Sequence, residues 1–196
     1  MVRKVFKAKT YLAAAGITQD EPIHMTTYSI KAVYQRLQGN FLKVSWRKII
    51  CNNQGAQKWI FILWLAIQGR LTTKDRIGSW GIDIDPICPL CGLADETIQH
   101  FVFECNVTGA IWRCLLRWQG IPRANLSWTE VVKWAERYCK GRSLGASIHK
   151  ITLAATVYHV WLERNGRVFK QKQRSREAIV RLIIQEVYYR ASLFPK

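Results

Sequence analysis

Acidic residues are scarce in this sequence. Its 196 residues include 13 Asp and Glu against 30 Lys and Arg, which gives a formal net charge of +17 and an isoelectric point near 10.0. Such an excess favours a polyanionic partner, either nucleic acid or an anionic membrane surface. Glycine and proline are also few, at 12 and 5 residues, which excludes a collagen-like or linker-dominated chain. The hydrophobic content of 49% excludes wholesale disorder.

Long apolar segments are lacking as well. The longest run, residues 59–67, has about half of the roughly 20 residues that a bilayer-spanning helix needs. Lysines at positions 4, 7 and 9 leave no uninterrupted apolar core for a signal peptide. We therefore expect a nuclear or cytoplasmic protein that is not secreted and has no membrane partner. Its six cysteines should then lie in a reducing compartment, where thiols bind metals more often than they form disulfides.

Apolar residues recur at helical spacing over most of the chain, and strand alternation is scarce. The pattern predicts helices at 28–37, 46–50, 57–68, 73–77, 106–119, 127–138 and 147–162, with a last one from 175 onward. The predicted N-terminal caps are Thr27, Thr73, Asn106, Ser175 and a capping box of Ser127 and Glu130. Asn165-Gly166 is expected to interrupt the helix that precedes it. The predicted fold class is all-α.

Four metal-binding side chains follow one another in the pattern C-x2-C-x8-H-x4-C. They are Cys88, Cys91, His100 and Cys105. Zinc prefers four thiolate or imidazole ligands on a tetrahedron, and a C-x2-C turn supplies two of them on one side. A short helix over 96–103 would carry His100, and this helix must end or bend near Glu104 for Cys105 to join it. The spacing predicts a structural Zn²⁺ site, since four protein ligands leave no position for water.

Other cysteines and histidines fit this site less well. Cys114 is the main alternative ligand, in place of His100 or Cys105, but it falls within the apolar pattern of its helix. Cys51 and Cys139 are expected to be buried or half-buried thiols. The remaining histidines, 24, 149 and 159, have no neighbouring ligand at a useful spacing. The 88–105 segment has few apolar groups, which predicts that it is disordered without metal.

Positive charge is absent from 88–106 and lies on either side of it, both among the apolar helices upstream and in the C-terminal part. The densest group comprises Arg164, Arg167, Lys170, Lys172, Arg174 and Arg176. These residues are the candidate nucleic-acid contacts, because Lys and Arg neutralise phosphates and release counterions. For each of them taken singly, an ordinary solvated helix face is the alternative interpretation.

The ordered motifs of the chain resemble those of a known family. The matching segments are YSIKAVYQRL at 28–37, WLAIQGRLTTKDRI at 64–77, CPLCG at 88–92, ETIQHFVFEC at 96–105 and WLERNGRVF at 161–169. They are similar to the zinc-binding region at the C-terminal end of plant non-LTR (LINE-type) retrotransposon reverse transcriptases. The resemblance implies that the four Cys and His residues are zinc ligands, and that such regions help to hold template RNA or target DNA.

These observations predict an irregular helical domain organised around a small CCHC zinc module. We expect a basic N-terminal segment over 1–25, the zinc-binding domain over 26–120 and a helical C-terminal extension over 121–196. Catalysis is not expected, because the sequence has no Tyr/Phe-x-Asp-Asp motif and no adjacent pair of aspartates. The expected function is nucleic-acid binding, with DNA or RNA as partner and no small-molecule substrate. A zinc-stabilised protein-interaction domain and a retroelement-derived fragment without a selected role are the alternatives.

Overall fold

The computed structural model describes residues 44–122, 127–139, 141 and 143–194, together with Ala13, Gly16, Lys31, Tyr34 and Gln35. Most of the helix predicted at 28–37 lies outside this set, including its cap Thr27. The chain divides into two compact units, residues 1–44 and 45–196. The second unit contains every helix discussed below. It joins residues predicted to form the zinc-binding domain with those predicted to form the extension, whose boundary at 120/121 stays a sequence prediction.

The second unit is helical, which confirms the predicted all-α class. Its helices are α1 (Arg47–Ile50), α2 (Gln57–Ile67), α3 (Lys74–Gly78), α4 (Asn106–Trp118), α5 (Trp128–Tyr138), α6 (Leu144–Lys170) and α7 (Arg176–Ser192), with a π-helical turn at His100–Glu104 before α4. The described residues contain no strand, and their one isolated β-bridge pairs Ile87 with Asp95. None of the described helices has both the length and the hydrophobicity that a bilayer crossing requires.

The long helix α6 forms the centre of the core. Most of its residues from 146 to 161 are buried, so it is covered on several sides. Helices α2 and α7 pack along it most extensively, and α4 and α5 contact it as well. The packing residues of these partners include Trp59 and Leu63 of α2 and Ile183 and Val187 of α7. Burial of this apolar surface is the main driving force for the fold.

The predicted interruption of this helix at Asn165-Gly166 is wrong. Helix α6 runs for 27 residues, through both positions, to Lys170. A glycine inside a helix costs about 1 kcal/mol relative to alanine, which tertiary contacts offset here. The Lys172 N–H donates to the Gly166 carbonyl at 3.0 Å, so the chain that follows the helix folds back against this glycine.

The predicted helix starts agree with the structure at two caps and differ at two. The capping box of Ser127 and Glu130 is formed, and Ser175 Oγ accepts from the N–H of residue 178. Asn106 is not a cap, because Cys105 occupies the cap position and makes no side-chain capping bond. Thr73 precedes α3 as expected, but its side chain donates to the Leu71 carbonyl at 3.5 Å and caps nothing.

Candidate metal centre

The first two candidate ligands lie on a tight turn. The Gly92 N–H donates to the Cys88 carbonyl at 2.9 Å, and Gly92 has a φ of +67°. This left-handed backbone favours glycine, which explains the residue that follows the second cysteine. The Cys88 N–H donates to the Ala94 carbonyl at 2.8 Å, beside the bridge between Ile87 and Asp95. These bonds fix the backbone that presents both thiols to the same side.

The last two candidate ligands lie on the π-helical turn. On an α-helix, residues five apart point about 140° away from each other, so His100 and Cys105 would diverge. In a π-helical turn the hydrogen bond joins residues five apart. The Cys105 N–H makes this bond with the His100 carbonyl at 2.7 Å. The structure thus confirms a break in the helix near Glu104, although the segment is a π-helical turn and not the expected helix over 96–103.

The four side chains converge. One ligand atom from each of Cys88, Cys91, His100 and Cys105 can be chosen so that all lie within 4.8 Å of one another. Cys91 Sγ is 3.3 Å from His100 Nε2. Cys88 and Cys105 are buried, and the other two are partly buried. Zinc–sulfur and zinc–nitrogen distances of about 2.3 and 2.0–2.1 Å place tetrahedral ligands roughly 3.4–3.8 Å apart. The cluster is therefore close to the size of a four-coordinate site.

A hydrogen bond between the buried thiols of Cys88 and Cys105 shifts the pKa of each. A side-chain hydrogen bond with Cys105, followed by burial, raises the pKa of Cys88 far above its ordinary value. The same bond lowers the pKa of Cys105, assisted by the backbone N–H groups of Val107 and Thr108 at the start of α4. Metal ligation requires thiolates, so metal binding at this cluster would displace the proton of Cys88. Metal affinity should consequently fall as the pH falls.

A comparison with known families identifies the region that contains this cluster. Residues 28–112 match the family described as zinc-binding in reverse transcriptase. The match supports a reverse transcriptase zinc-binding domain in this part of the chain, and it contains all four candidate ligands. It covers no catalytic domain of a reverse transcriptase. The Cys₃His composition of the cluster suggests zinc, whose ligands are thiolates and imidazoles. No curated protein and no solved structure shows a significant match to the chain.

A buried ion pair connects the region that matches this family to α6. Arg164 donates from Nε and Nη2 to the two carboxylate oxygens of Glu96 at 2.8 and 2.7 Å. Glu96 is 0% exposed and Arg164 is 2% exposed. Glu96 Oε2 also accepts from the Lys74 N–H at 3.0 Å, at the start of α3. Because its guanidinium is buried and paired with Glu96, Arg164 is not accessible to a phosphate, and it joins α6 to the matched region instead.

Arg167 binds the cysteine-containing turn itself. Its Nη1 donates to the Leu90 carbonyl at 2.9 Å and to the Pro89 carbonyl at 3.4 Å. Its Nε donates to Glu163 at 2.9 Å, one helical turn earlier on α6. The Arg167 side chain is only 15% exposed. It therefore supports the position of the Cys88–Cys91 turn, and little of it remains available to a phosphate.

The four remaining candidate contacts are more accessible. Arg174 is partly exposed, and its Nε donates to Glu163 at 3.1 Å. Arg176 is exposed and pairs with its neighbour Glu177 at 2.9 Å. Lys170 and Lys172 are exposed, and neither makes an ion pair with any described residue. Their contact with nucleic acid stays a prediction.

The 88–105 segment has more apolar anchoring than expected. Phe101, Val102 and Phe103 of the π-helical turn are buried. Phe101 packs edge-on against Trp161 with ring centroids 5.6 Å apart, and Phe103 stacks on Trp112 at 4.7 Å. Packing in the core therefore also holds the second half of the segment. We now expect disorder without metal only at the Cys88–Cys91 turn.

The other cysteines and histidines that the structure describes lie outside the cluster. Cys114 is not part of it, and Cys51 is exposed, contrary to the expectation of burial. Cys139 is buried as expected, which raises its pKa to about 11. Burial lowers the pKa of His149 to about 3. His159 is packed in the core, where its Nε2 lies 2.7 Å from Glu186.

Proposed function

We propose that the chain is a non-catalytic module in which a structural zinc ion stabilises a helical scaffold that binds nucleic acid. The observation that carries the proposal is the convergence of Cys88, Cys91, His100 and Cys105 within the region similar to a reverse transcriptase zinc-binding domain. Four protein ligands occupy all coordination positions of a tetrahedral zinc ion. The ion would therefore cross-link the cysteine-containing turn to the π-helical turn, with no open position at which to activate water.

The charge of the surface supports nucleic acid as the partner. The net charge is +17. Two of the arginines that contribute to it, Arg164 and Arg167, are engaged in contacts within the protein. Exposed cations also lie on several described helices and in the segments that follow them: Arg47, Lys48, Lys58, Arg70, Arg117, Lys133, Arg137, Lys170, Lys172, Arg176 and Arg181. Contacts of such residues with phosphates give an affinity that depends little on sequence and falls with salt.

We propose in addition that the protein derives from a retroelement and acts in the nucleus or the cytoplasm. The motifs resemble those of plant LINE-type reverse transcriptases, which supports descent from such an element. Action on template RNA or target DNA would place the module in the nucleus or the cytoplasm.

Charge reversal at Lys170 and Lys172 tests this proposal. The double variant Lys170→Glu/Lys172→Glu should weaken binding to RNA and DNA, because each lysine faces solvent without an ion-pair partner among the described residues. If each contacts one phosphate, the slope of log K against log salt should become shallower by about 1.4 on single strands and about 1.8 on duplex DNA. The measurement is a fluorescence anisotropy titration at several salt concentrations.

The matched control is Lys133→Glu/Arg137→Glu on α5, which removes the same amount of positive charge from exposed positions. A specific contact requires a clearly larger loss at 170 and 172 than at 133 and 137. Equal losses would show that only net charge matters. Absence of wild-type binding at low salt would exclude the nucleic-acid function.

A protein-interaction domain is the second candidate function. It is favoured by exposed aromatic residues on α7, where Tyr188 is 74% and Tyr189 is 63% exposed. Aromatic side chains are enriched in protein interfaces. Binding of a protein partner together with indifference to both RNA and DNA would favour this function over the first.

A further inference from the structure

A groove of about 340 Å³ lies between the C-terminal end of α6 and the chain that follows it. Gln171 adopts a left-handed conformation with φ +51°, so the chain reverses direction after Lys170. A Cβ atom at Gly166 would lie 3.4 Å from the Lys172 carbonyl oxygen. The returning chain thus passes within contact distance of the helix at this glycine and forms one wall of the groove.

The groove has an apolar floor with an exposed aromatic ring at its edge. Leu162 and Phe169 line it, and they lie seven residues apart on the same face of α6. Phe169 is 74% exposed. A phenylalanine this accessible, beside an apolar groove, presents a flat surface on which another planar group can stack.

The rim of the groove is positively charged. Lys170 and Lys172 line it from either side of the reversal, and both are exposed. Glu163 also borders the groove, but it is 3% exposed and receives hydrogen bonds from Arg167 and Arg174. Burial alone would raise the pKa of Glu163, but the bonds from Arg174 and Arg167 outweigh it and hold this pKa below its ordinary value. The carboxylate is thus neutralised by these arginines, and the two lysines remain to attract an anion.

We propose that this groove binds one unpaired base of a single-stranded nucleic acid. The base stacks on Phe169 over the apolar floor, and the phosphates that flank it contact Lys170 and Lys172. Apolar and aromatic surface combined with adjacent cations is the arrangement that recognises single strands. Bases within a duplex are already stacked and paired, so they cannot enter the groove without being extruded. This inference rests on the proposed nucleic-acid function and specifies the form of nucleic acid that the surface prefers.

The test compares Phe169→Ala with wild type on RNA and DNA single strands that carry 2-aminopurine, and on matched duplexes. The fluorescence intensity of 2-aminopurine depends on stacking. Binding of wild type should therefore change the intensity of the 2-aminopurine signal from single strands. Loss of one stacked base should weaken single-strand binding about 5- to 150-fold. Duplex affinity and the salt slope should not change, because the lysines remain. Phe169→Tyr should restore single-strand binding and the fluorescence change.

Phe61→Ala is the matched control, since Phe61 is also exposed, at 56%, but lies on α2. It should leave single-strand affinity unchanged. Equal single-strand affinity of Phe169→Ala and wild type, with unchanged fluorescence, would overturn the groove assignment while leaving the proposed function intact. The groove assignment would also be overturned if a second copy of the chain covered the groove. Sedimentation would reveal this as a dimer of wild type that is absent for Phe169→Ala. Failure of wild type to bind any strand would instead refute the proposed function.

Discussion

Replacing Cys105 with serine should abolish stoichiometric zinc binding and lower the thermal unfolding midpoint by about 8–16 °C in saturating zinc. Cys105 is fully buried and belongs to the four-residue cluster, and a neutral hydroxyl does not replace a thiolate ligand. Zinc present at 1,000 times its Kd stabilises the folded state by about 4 kcal/mol. For a protein of this size each kcal/mol shifts the midpoint by about 2–4 °C. Metal analysis and differential scanning calorimetry measure the two effects.

Cys51→Ser is the matched control for this experiment. Cys51 is a free, exposed cysteine outside the cluster, so this variant should retain one zinc per chain and the wild-type midpoint. In chelator, wild type and Cys105→Ser should unfold at similar temperatures, because neither then contains the metal. A Cys105→Ser protein that keeps its zinc and its midpoint would contradict the ligand assignment.

Glu96→Gln should destabilise the protein by about 3–5 kcal/mol, the usual cost of removing one partner from a buried ion pair. The substitution keeps the size of the side chain but leaves the guanidinium of Arg164 buried without a counter-charge. Glu96 also accepts a hydrogen bond from the first residue of α3, so the loss should extend to that helix. Urea unfolding followed by circular dichroism measures the change in the free energy of unfolding.

The matched control replaces a carboxylate in an exposed pair. Glu177 pairs with Arg176, and both side chains are more than half exposed. Glu177→Gln should therefore change stability little, since solvent screens such pairs. Combining Glu96→Gln with Arg164→Met should recover part of the lost stability, because the uncompensated charge is then removed as well. Equal stability of Glu96→Gln and wild type would show that the pair does not hold α6 to the segment that contains Glu96.

The features of this fold that could be predicted from the sequence depend on residues close together in the chain. The capping box at Ser127 and Glu130 involves residues three apart, and the cysteine turn involves Cys88, Cys91 and the glycine that follows. Both depend on short-range geometry that any chain with those residues can adopt. The all-α class and the grouping of Cys88, Cys91, His100 and Cys105 followed from the same kind of information.

Contacts between distant parts of the chain account for the rest. Glu96 and Arg164 are 68 residues apart, so no local pattern indicated that the arginine is buried and paired. The bond from Arg167 to the Leu90 carbonyl spans 77 residues and converts a second expected phosphate contact into a support for the cysteine turn. The Asn165-Gly166 pair predicted an interruption from intrinsic propensity, which tertiary packing commonly overrides.

X-ray absorption at the zinc edge tests the central claim most directly. Protein purified in the presence of zinc should contain one zinc ion per chain. The spectrum should require three sulfur ligands at about 2.3 Å and one nitrogen ligand at about 2.0–2.1 Å. A chain that retains no zinc, or a spectrum with oxygen ligands and fewer than three sulfurs, would contradict the assignment of Cys88, Cys91, His100 and Cys105 as a closed structural site.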